Sequence, residues 1–163
     1  MEIEIKNMNA DNAPELAKAA KEIWNEHFLP IIGQAQVDYM LEKFQSEQAI
    51  RQQINEGIRY IGAYVDSRLV GYSCYKLESE RLFISKLYVK KENRGLGIGR
   101  AMFNHELKLA RESGKSTLYL TVNKYNELAI SVYKRLGFYV EDSDVTDIGG
   151  GFVMDDYIMA YDL

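Results

Sequence analysis

Three glycines at alternate positions stand between two arginines in Arg94-Gly95-Leu96-Gly97-Ile98-Gly99-Arg100. Those residue types in that pattern suit the holding of a phosphate. Exposed backbone N–H groups, reinforced by the positive end of a following helix dipole, gather an anion, and glycines let it come close to the main chain. Arg94 and Arg100 add guanidinium groups that a pyrophosphate would use. The apolar, β-branched residues 82–89 before the loop predict a strand, and residues 101–107 after it predict a helix. Strand, turn and helix N-terminus therefore come in the order an anion site requires.

Spacing separates the phosphate ligands that such a loop takes. A dinucleotide fingerprint needs G-x-G-x-x-G, yet its last position is Arg100 counted from Gly95 and Met102 counted from Gly97. A P-loop needs G-x-x-x-x-G-K-[ST]. Gly114-Lys115-Ser116 supplies the second half, but the first glycine would fall at Leu109, inside the helix. Gly114 reads instead as that helix's end.

The loop does meet [QR]-x-x-G-x-[GA], through Arg94, Gly97 and Gly99. Downstream, Leu118-Tyr119-Leu120-Thr121-Val122-Asn123 is followed by N-x-x-A-x-x-x-Y-x-x-x-G-F, carried by Asn126, Ala129, Tyr133, Gly137 and Phe138. The two motifs, in this order and separation, resemble the GNAT superfamily of N-acyltransferases across roughly residues 60–140. The resemblance implies an α/β (α+β layered) GNAT-like fold, with a central, mostly antiparallel mixed sheet, helices on both faces, and a splayed parallel pair formed by residues 82–89 and 117–122. It implies acetyl-CoA as co-substrate and no metal. Its pyrophosphate would lie on Arg94, Gly95, Gly97, Ile98, Gly99 and Arg100, and its pantetheine arm would pair with the main chain of Leu87 and Val89. Asn126 and Tyr133 would complete the cofactor site.

Amide formation sets further requirements. An alkylammonium, with a pKa of about 10.4, must lose a proton before it attacks a thioester. Charge then develops on the carbonyl oxygen, for which the resemblance implies the Val89 N–H as donor. Collapse expels a thiolate, and Tyr133, at the family's tyrosine position, is the candidate acid. The strand carries Phe83, Ile84 and Ser85 where many family members carry a glutamate, and the nearest acid, Glu80, precedes it. Deprotonation through water, or by a distant carboxylate acting through water, is the expectation.

Each of these residues also has a plainer reading. Tyr133 lies on an apolar stripe and Asn126 suits a helix cap; His105 sits mid-helix, and Cys74 in an apolar strand acts as a small hydrophobe. His27, near Trp24 and Phe28, lies within reach of an acceptor site. A catalytically silent acyl-CoA sensor with the same loop is the alternative function.

The acceptor is indicated by charge. After Arg135 the chain has no lysine or arginine but seven carboxylates, Glu141, Asp142, Asp144, Asp147, Asp155, Asp156 and Asp162. Such a stretch attracts a cation, as a polyamine or lysine-bearing peptide would be, and is otherwise a solvated acidic face. Trp24-x-x-x-Phe28, Gln36-x-x-Tyr39-Met40-Leu41 and residues 153–159 are similar to a bacterial GNAT subgroup that includes polyamine acetyltransferases.

The elements that must position these groups follow from periodicity. After an alternating first strand, Asp11 and Pro14 start a helix with Leu16, Ala19, Ala20 and Ile23 on one face, which Pro30 ends. Val37, Met40, Leu41 and Phe44 give a second helix, and Ile50 and Ile54 a shorter one up to Gly57. Residues 60–65 and 69–77 flank Asp66-Ser67 as a hairpin. Residues 98–111 and the run through Ala129, Val132, Tyr133 and Leu136 are helices, while 139–140 and 152–161 are strands around a loop containing Gly149-Gly150-Gly151.

Composition bounds the rest. The length of 163 residues fits a single domain, 1–163, and 47% hydrophobic with 27% charged residues is ordinary for a globular protein. A net charge of −4 argues against nucleic acid. One cysteine, no signal-peptide core and no apolar run near membrane-spanning length argue for a cytoplasmic protein without a membrane partner. Monomer and homodimer both remain open.

Overall fold

Seven strands, β1 (Glu4–Met8), β2 (Arg59–Val65), β3 (Arg68–Leu77), β4 (Arg81–Val89), β5 (Thr117–Asn123), β6 (Tyr139–Gly149) and β7 (Phe152–Asp162), form one sheet in the computed structural model, which describes residues 1–163. Their order is β1-β2-β3-β4-β5-β7-β6. Helices α1 (Ala13–His27), α2 (Leu29–Ile32), α3 (Gln34–Phe44) and α4 (Glu47–Asn55) cover one face, and α5 (Ile98–Glu112) and α6 (Glu127–Leu136) the other. The sheet is thus buried on both sides, with Leu16, Ile23, Val37 and Ile50 in one core and Ile98, Met102, Leu118 and Met159 in the second. Every pairing is antiparallel except β4 with β5, as the resemblance implied.

That parallel pairing is short. It runs from Arg81↔Thr117 to Ile84↔Leu120 and stops, although both strands continue. The strands therefore splay from Ser85 and Thr121 onward. A bulge lies at the same point: Tyr75 faces Ile84 and Cys74 faces Lys86, leaving Ser85 as the extra residue of β4. A bulge bends and twists the strand that carries it, so β4 turns away from β5 where the ladder ends. β5 meanwhile stays paired with β7 along its whole length, from Thr117↔Asp162 to Asn123↔Asp156.

Two expectations are corrected. Pro30 does not end a helical segment; it lies in the first turn of α2, where its missing N–H removes no helical bond. The chain breaks instead at Gly33, with φ of 83°. Residues 141–148 are not a loop, because β6 runs to Gly149 paired with β7, with bulges at Glu141 and Ile148. Apart from Ile148, β6 is exposed on both faces. It has no buried face to impose apolar alternation, and its aspartates weaken strand propensity. Backbone pairing to β7 supplies what the side chains do not.

The β6–β7 turn returns to the helical layer. The Tyr39 hydroxyl of α3 donates to the Ile148 carbonyl at 2.6 Å, and Gln36 Nε2 donates to the Val153 carbonyl at 3.0 Å. Gly150 lies so close to the Tyr39 ring that a Cβ there would stand 2.8 Å from it, whereas a Cβ at Gly151 would meet nothing; both have positive φ. Gly151→Ala should therefore carry only backbone strain, about 1 kcal/mol. Gly150→Ala adds a steric clash of about 1–3 kcal/mol and should unfold at clearly lower urea. Equal midpoints for the two variants would show that the tip does not dock on Tyr39.

Candidate active site

The end of the β4–β5 ladder exposes backbone. Lys90 N–H donates to the Val70 carbonyl of β3 at 2.8 Å. Successive residues of a strand turn their backbone groups to opposite edges, so Tyr88 also faces β3 while Leu87 and Val89 face the opening. With the β4–β5 ladder ended at Ile84↔Leu120, their N–H and C=O groups border the cleft without a strand partner. The Val89 carbonyl accepts from Arg94 Nε at 3.2 Å, which holds that arginine against the strand end.

The loop beyond β4 presents donors in the same region. Gly95 and Gly97 have φ of 77° and 83°, and a Cβ at either would meet nothing within 4 Å. The N–H groups of Gly95, Leu96 and Gly97 donate to no backbone acceptor. The first turn of α5 adds Ile98, Gly99 and Arg100, whose N–H groups precede the helix's own hydrogen-bond ladder. Ile98 buries its side chain completely and pins the turn to the core; Arg100 is exposed. An anion would meet a concave run of donors, the positive end of a 15-residue helix and two guanidinium groups, in space no side chain fills. This arrangement fits a pyrophosphate.

A cavity of about 90 Å³ opens through the splay itself. Ser85 and Tyr88 of β4 and Thr121, Val122 and Asn123 of β5 form its sides. Trp24, Phe28, Met40 and Met154 line it from the α1–α4 face, and Asn126 and Tyr133 from the α6 end. Of the expected site residues, the fold brings Asn126 and Tyr133 into this cavity. It places Arg94, Gly95, Gly97, Ile98, Gly99 and Arg100 at the adjoining loop, and Leu87 and Val89 on the backbone edge beside it.

Tyr133 packs its ring against Phe138, with centroids 5.9 Å apart. Burial, and then the neighbouring Glu106, push its phenol upward, so it stays protonated at neutral pH. Asn126 does two things at once: its Oδ1 caps α6 by accepting from Ala129 N–H at 3.4 Å and accepts from His27 Nε2 at 3.0 Å. His27 is thereby a link from α1 to α6 across the open end of the sheet. Burial, the Asn126 bond opposing it, and the charge of Arg94 lower its pKa on balance, leaving it neutral at pH 7.

Asp156 was concealed within the acidic stretch. It lines the cavity, is 7% exposed, and has an Oδ1 without any hydrogen-bond partner. Burial, with the charges of Asp155 and Asp144 and against that of Lys124, raises it to about 6. The adjacent Asp155 faces the other way and pairs with Lys124 at 2.8 Å. The remaining carboxylates have local partners: Glu141 with Arg81, Asp142 with Ser143 N–H, Asp144 with Thr146, Asp147 with Gly149 N–H and Asp162 with Tyr139. The strand's alternation was the signal that could have singled Asp156 out, since it shares a face with Met154 and Ile158. Tyr88, which closes an aromatic group with Trp24 and Phe28 at centroid separations of 5.8 and 5.9 Å, carried no such mark in the sequence.

Residues 18–138 match the profile of the Acetyltransferase (GNAT) family. This chain belongs to that family and is an acetyl-CoA-dependent N-acetyltransferase. It is 28% identical to spermidine N(1)-acetyltransferase of Thermoplasma acidophilum over 95% of this chain and 97% of that protein. It is 36% identical to streptothricin acetyltransferase of Streptomyces lavendulae, over 48% of this chain and 43% of that protein. Among solved structures, PaiA N-acetyltransferase from Thermoplasma acidophilum in complex with coenzyme A superposes with a TM-score of 0.88 at 25% identity, covering all of both chains.

Gly97→Glu tests the loop. A Cβ at this position meets no atom within 4 Å, and the glutamate adds a negative charge to the loop expected to hold the pyrophosphate, at the cost of backbone strain. We expect a folded protein whose calorimetric affinity for acetyl-CoA falls at least a hundredfold, about 2.7 kcal/mol. Unchanged affinity in a folded variant would remove the loop from the cofactor site.

Proposed function

We propose that this enzyme transfers the acetyl group of acetyl-CoA to a primary amine of a small cationic, polyamine-like acceptor, by direct attack in a ternary complex. The observation that carries this reading is the buried, unpartnered Asp156 carboxylate facing an aromatic wall inside the cleft. A carboxylate with a free oxygen is a ready acceptor for an ammonium N–H, and the aromatic side chains of Trp24, Phe28 and Tyr88 line the same cavity, groups that attract a cation. The similarity to a spermidine acetyltransferase over nearly the whole chain supports the same class.

The pyrophosphate rests on the N–H groups of residues 95–100, with Arg94 and Arg100 as counter-charges. The pantetheine amides pair with Leu87 and Val89, taking the place of the strand that is missing beside β4. The thioester then reaches the cavity, where Val89 N–H points into the opening and supplies the oxyanion donor.

The acceptor must arrive as ammonium and react as amine. Desolvation in the cleft disfavours the charged form of the acceptor. Asp156, raised by burial to about 6, is the carboxylate placed to take the acceptor's proton through water. The amine nitrogen forms its bond to the thioester carbon, the C–S bond breaks, and the phenol of Tyr133 gives its proton to the departing sulfur. The nitrogen gives up two protons, one through Asp156 and water before attack and a second from the tetrahedral intermediate; one leaves to solvent and the other restores the phenol of Tyr133.

A thiol-release assay over a panel of amines tests the substrate class. Diamines and polyamines should exceed monoamines with neutral tails in kcat/KM. Asp156→Asn should raise KM for a diamine tenfold or more, while Asp155→Asn, which removes a charge already paired on the outer face, should change it little. An anionic preferred acceptor, or indifference to Asp156→Asn, would defeat the proposal.

Tyr133→Phe isolates the acid. Packing against Phe138 is kept, so melting temperature and acetyl-CoA affinity should hold while kcat drops roughly 10²-fold. Full turnover in the phenylalanine variant would make Tyr133 a wall of the cavity and no more.

A further inference from the structure

One buried carboxyl takes no part in this scheme, and its hydrogen-bond geometry fixes where its proton lies. Glu106 of α5 is fully buried beneath the sheet. Its Oε1 is 2.8 Å from Ser73 Oγ of β3, and Ser73 Oγ is 2.6 Å from the Lys86 carbonyl of β4. A serine hydroxyl has one proton. Ser73 cannot donate to the Lys86 carbonyl and to a carboxylate at once, and a carbonyl has nothing to donate in return. Both contacts are satisfied together only when Glu106 supplies a proton of its own, to Ser73, and Ser73 passes its proton to Lys86. Glu106 Oε2 has no partner, as a charged oxygen in that position would need.

Lys86 directly follows Ser85, the extra residue of the bulge at which β4 leaves β5. We propose that Glu106 is held as a neutral carboxylic acid which, through Ser73, clamps the Lys86 carbonyl and so fixes the bulge that aims the Leu87 and Val89 main chain into the cleft. Glu106 is on this account a positioning residue for acyl transfer, and the proposal rests on the reading of Leu87 and Val89 given above.

The surroundings favour the neutral form. β1, β2 and β5 present Ile5, Ile61, Ala63, Leu118 and Leu120 to this core, and β4 presents Leu82, Ile84 and Leu87. The ionisable neighbours are Cys74 and Tyr75 of β3 and Tyr133 of α6, all of which a Glu106 charge would push upward. The Lys86 ammonium is on the opposite face, bound to the Phe44 carbonyl, Gln53 and Tyr60. Burial, opposed by the Ser73 bond, raises Glu106 to about 8. Above that pH the carboxylate draws the Ser73 proton to itself and the Lys86 carbonyl loses it. Against an unfolded glutamate at about 4.3, this raised pKa loses stability as pH climbs from there to about 8, and the proton itself leaves the folded clamp only around the upper value, so the clamp weakens on the alkaline side.

The experiment compares wild type, Glu106→Gln and Ser73→Ala. Infrared spectra of the protein without substrate should show a protonated-acid C=O band at pH 7 that vanishes as pH rises through about 8 and is missing from Glu106→Gln. Because the glutamine amide donates to Ser73 at every pH, acetyl-CoA affinity and kcat should match wild type at pH 7. Wild type should then weaken on the alkaline side, while Glu106→Gln should not. Ser73→Ala should lower kcat roughly tenfold or more at all pH values, with no further loss when Glu106→Gln is added. Absence of the acid band, or the same alkaline fall in Glu106→Gln as in wild type, overturns the proposal. The band and the calorimetric affinity require no amine, so they separate failure of this inference from failure of the assigned acceptor chemistry.

Discussion

The cleft between β4 and β5 exists because two parallel strands stop pairing after four residues. Backbone N–H and C=O groups left without partners inside a fold are costly, so such a gap does not persist unless its surroundings hold it open. Here β5 is fully engaged with β7 on its far side, and β4 with β3 on its own. Each strand is stapled to a different neighbour, and the bulge at Ser85 turns β4 away where the shared ladder ends. Cores on both faces fix the two halves of the sheet. On the proposed reading the exposed edge receives an extended, amide-bearing ligand, and the glycine loop lies next to it because β4 runs into the turn before α5.

Three buried Lys, Glu and Asp side chains lie close to this gap, and the protein treats each differently. Lys86 is surrounded by acceptors from three elements and ties α3, α4 and β2 to β4. Burial lowers its pKa, yet its ammonium is fully hydrogen-bonded. Glu106 has one hydroxyl neighbour and no cation, a setting that retains a proton. Asp156 has a free oxygen in a cavity that is open to a ligand. Burial alone does not mark a functional group. What separates the three is whether the protein supplies the missing partner, and at Asp156 it does not.

Much of this was legible in the sequence, and the reasons differ by element. The loop at residues 94–100 and the helix from Asn126 to Phe138 are local: their function depends on residue types at fixed spacing, and those survive in one dimension. Strands β2 to β5 carry buried apolar patterns that periodicity detects. β6 does not, because an edge strand wetted on both faces has no pattern to read, and its acidic residues argue for a loop until β7 is known to pair with it. The cleft lining is non-local. Trp24, Tyr88 and Asp156 lie on three separate elements, and only the closure of the sheet brings them together. The cap made by Asn126 was readable; its bond to His27, 99 residues away in sequence, was not.

The acidic C-terminal stretch shows why composition was a weaker guide than geometry. Seven carboxylates without a lysine or arginine after Arg135 suggest an attractive field, but six of them are neutralised or hydrogen-bonded where they stand. Charges of that kind are screened within about 8 Å at physiological ionic strength and act mainly on the rate of encounter. A desolvated carboxylate acts differently, since its interaction with a bound ammonium is little screened and changes the acceptor's own pKa. The exposed charges of β6 and the buried charge of Asp156 therefore make separable contributions, one sensitive to salt and the other to the single oxygen the fold leaves without a partner.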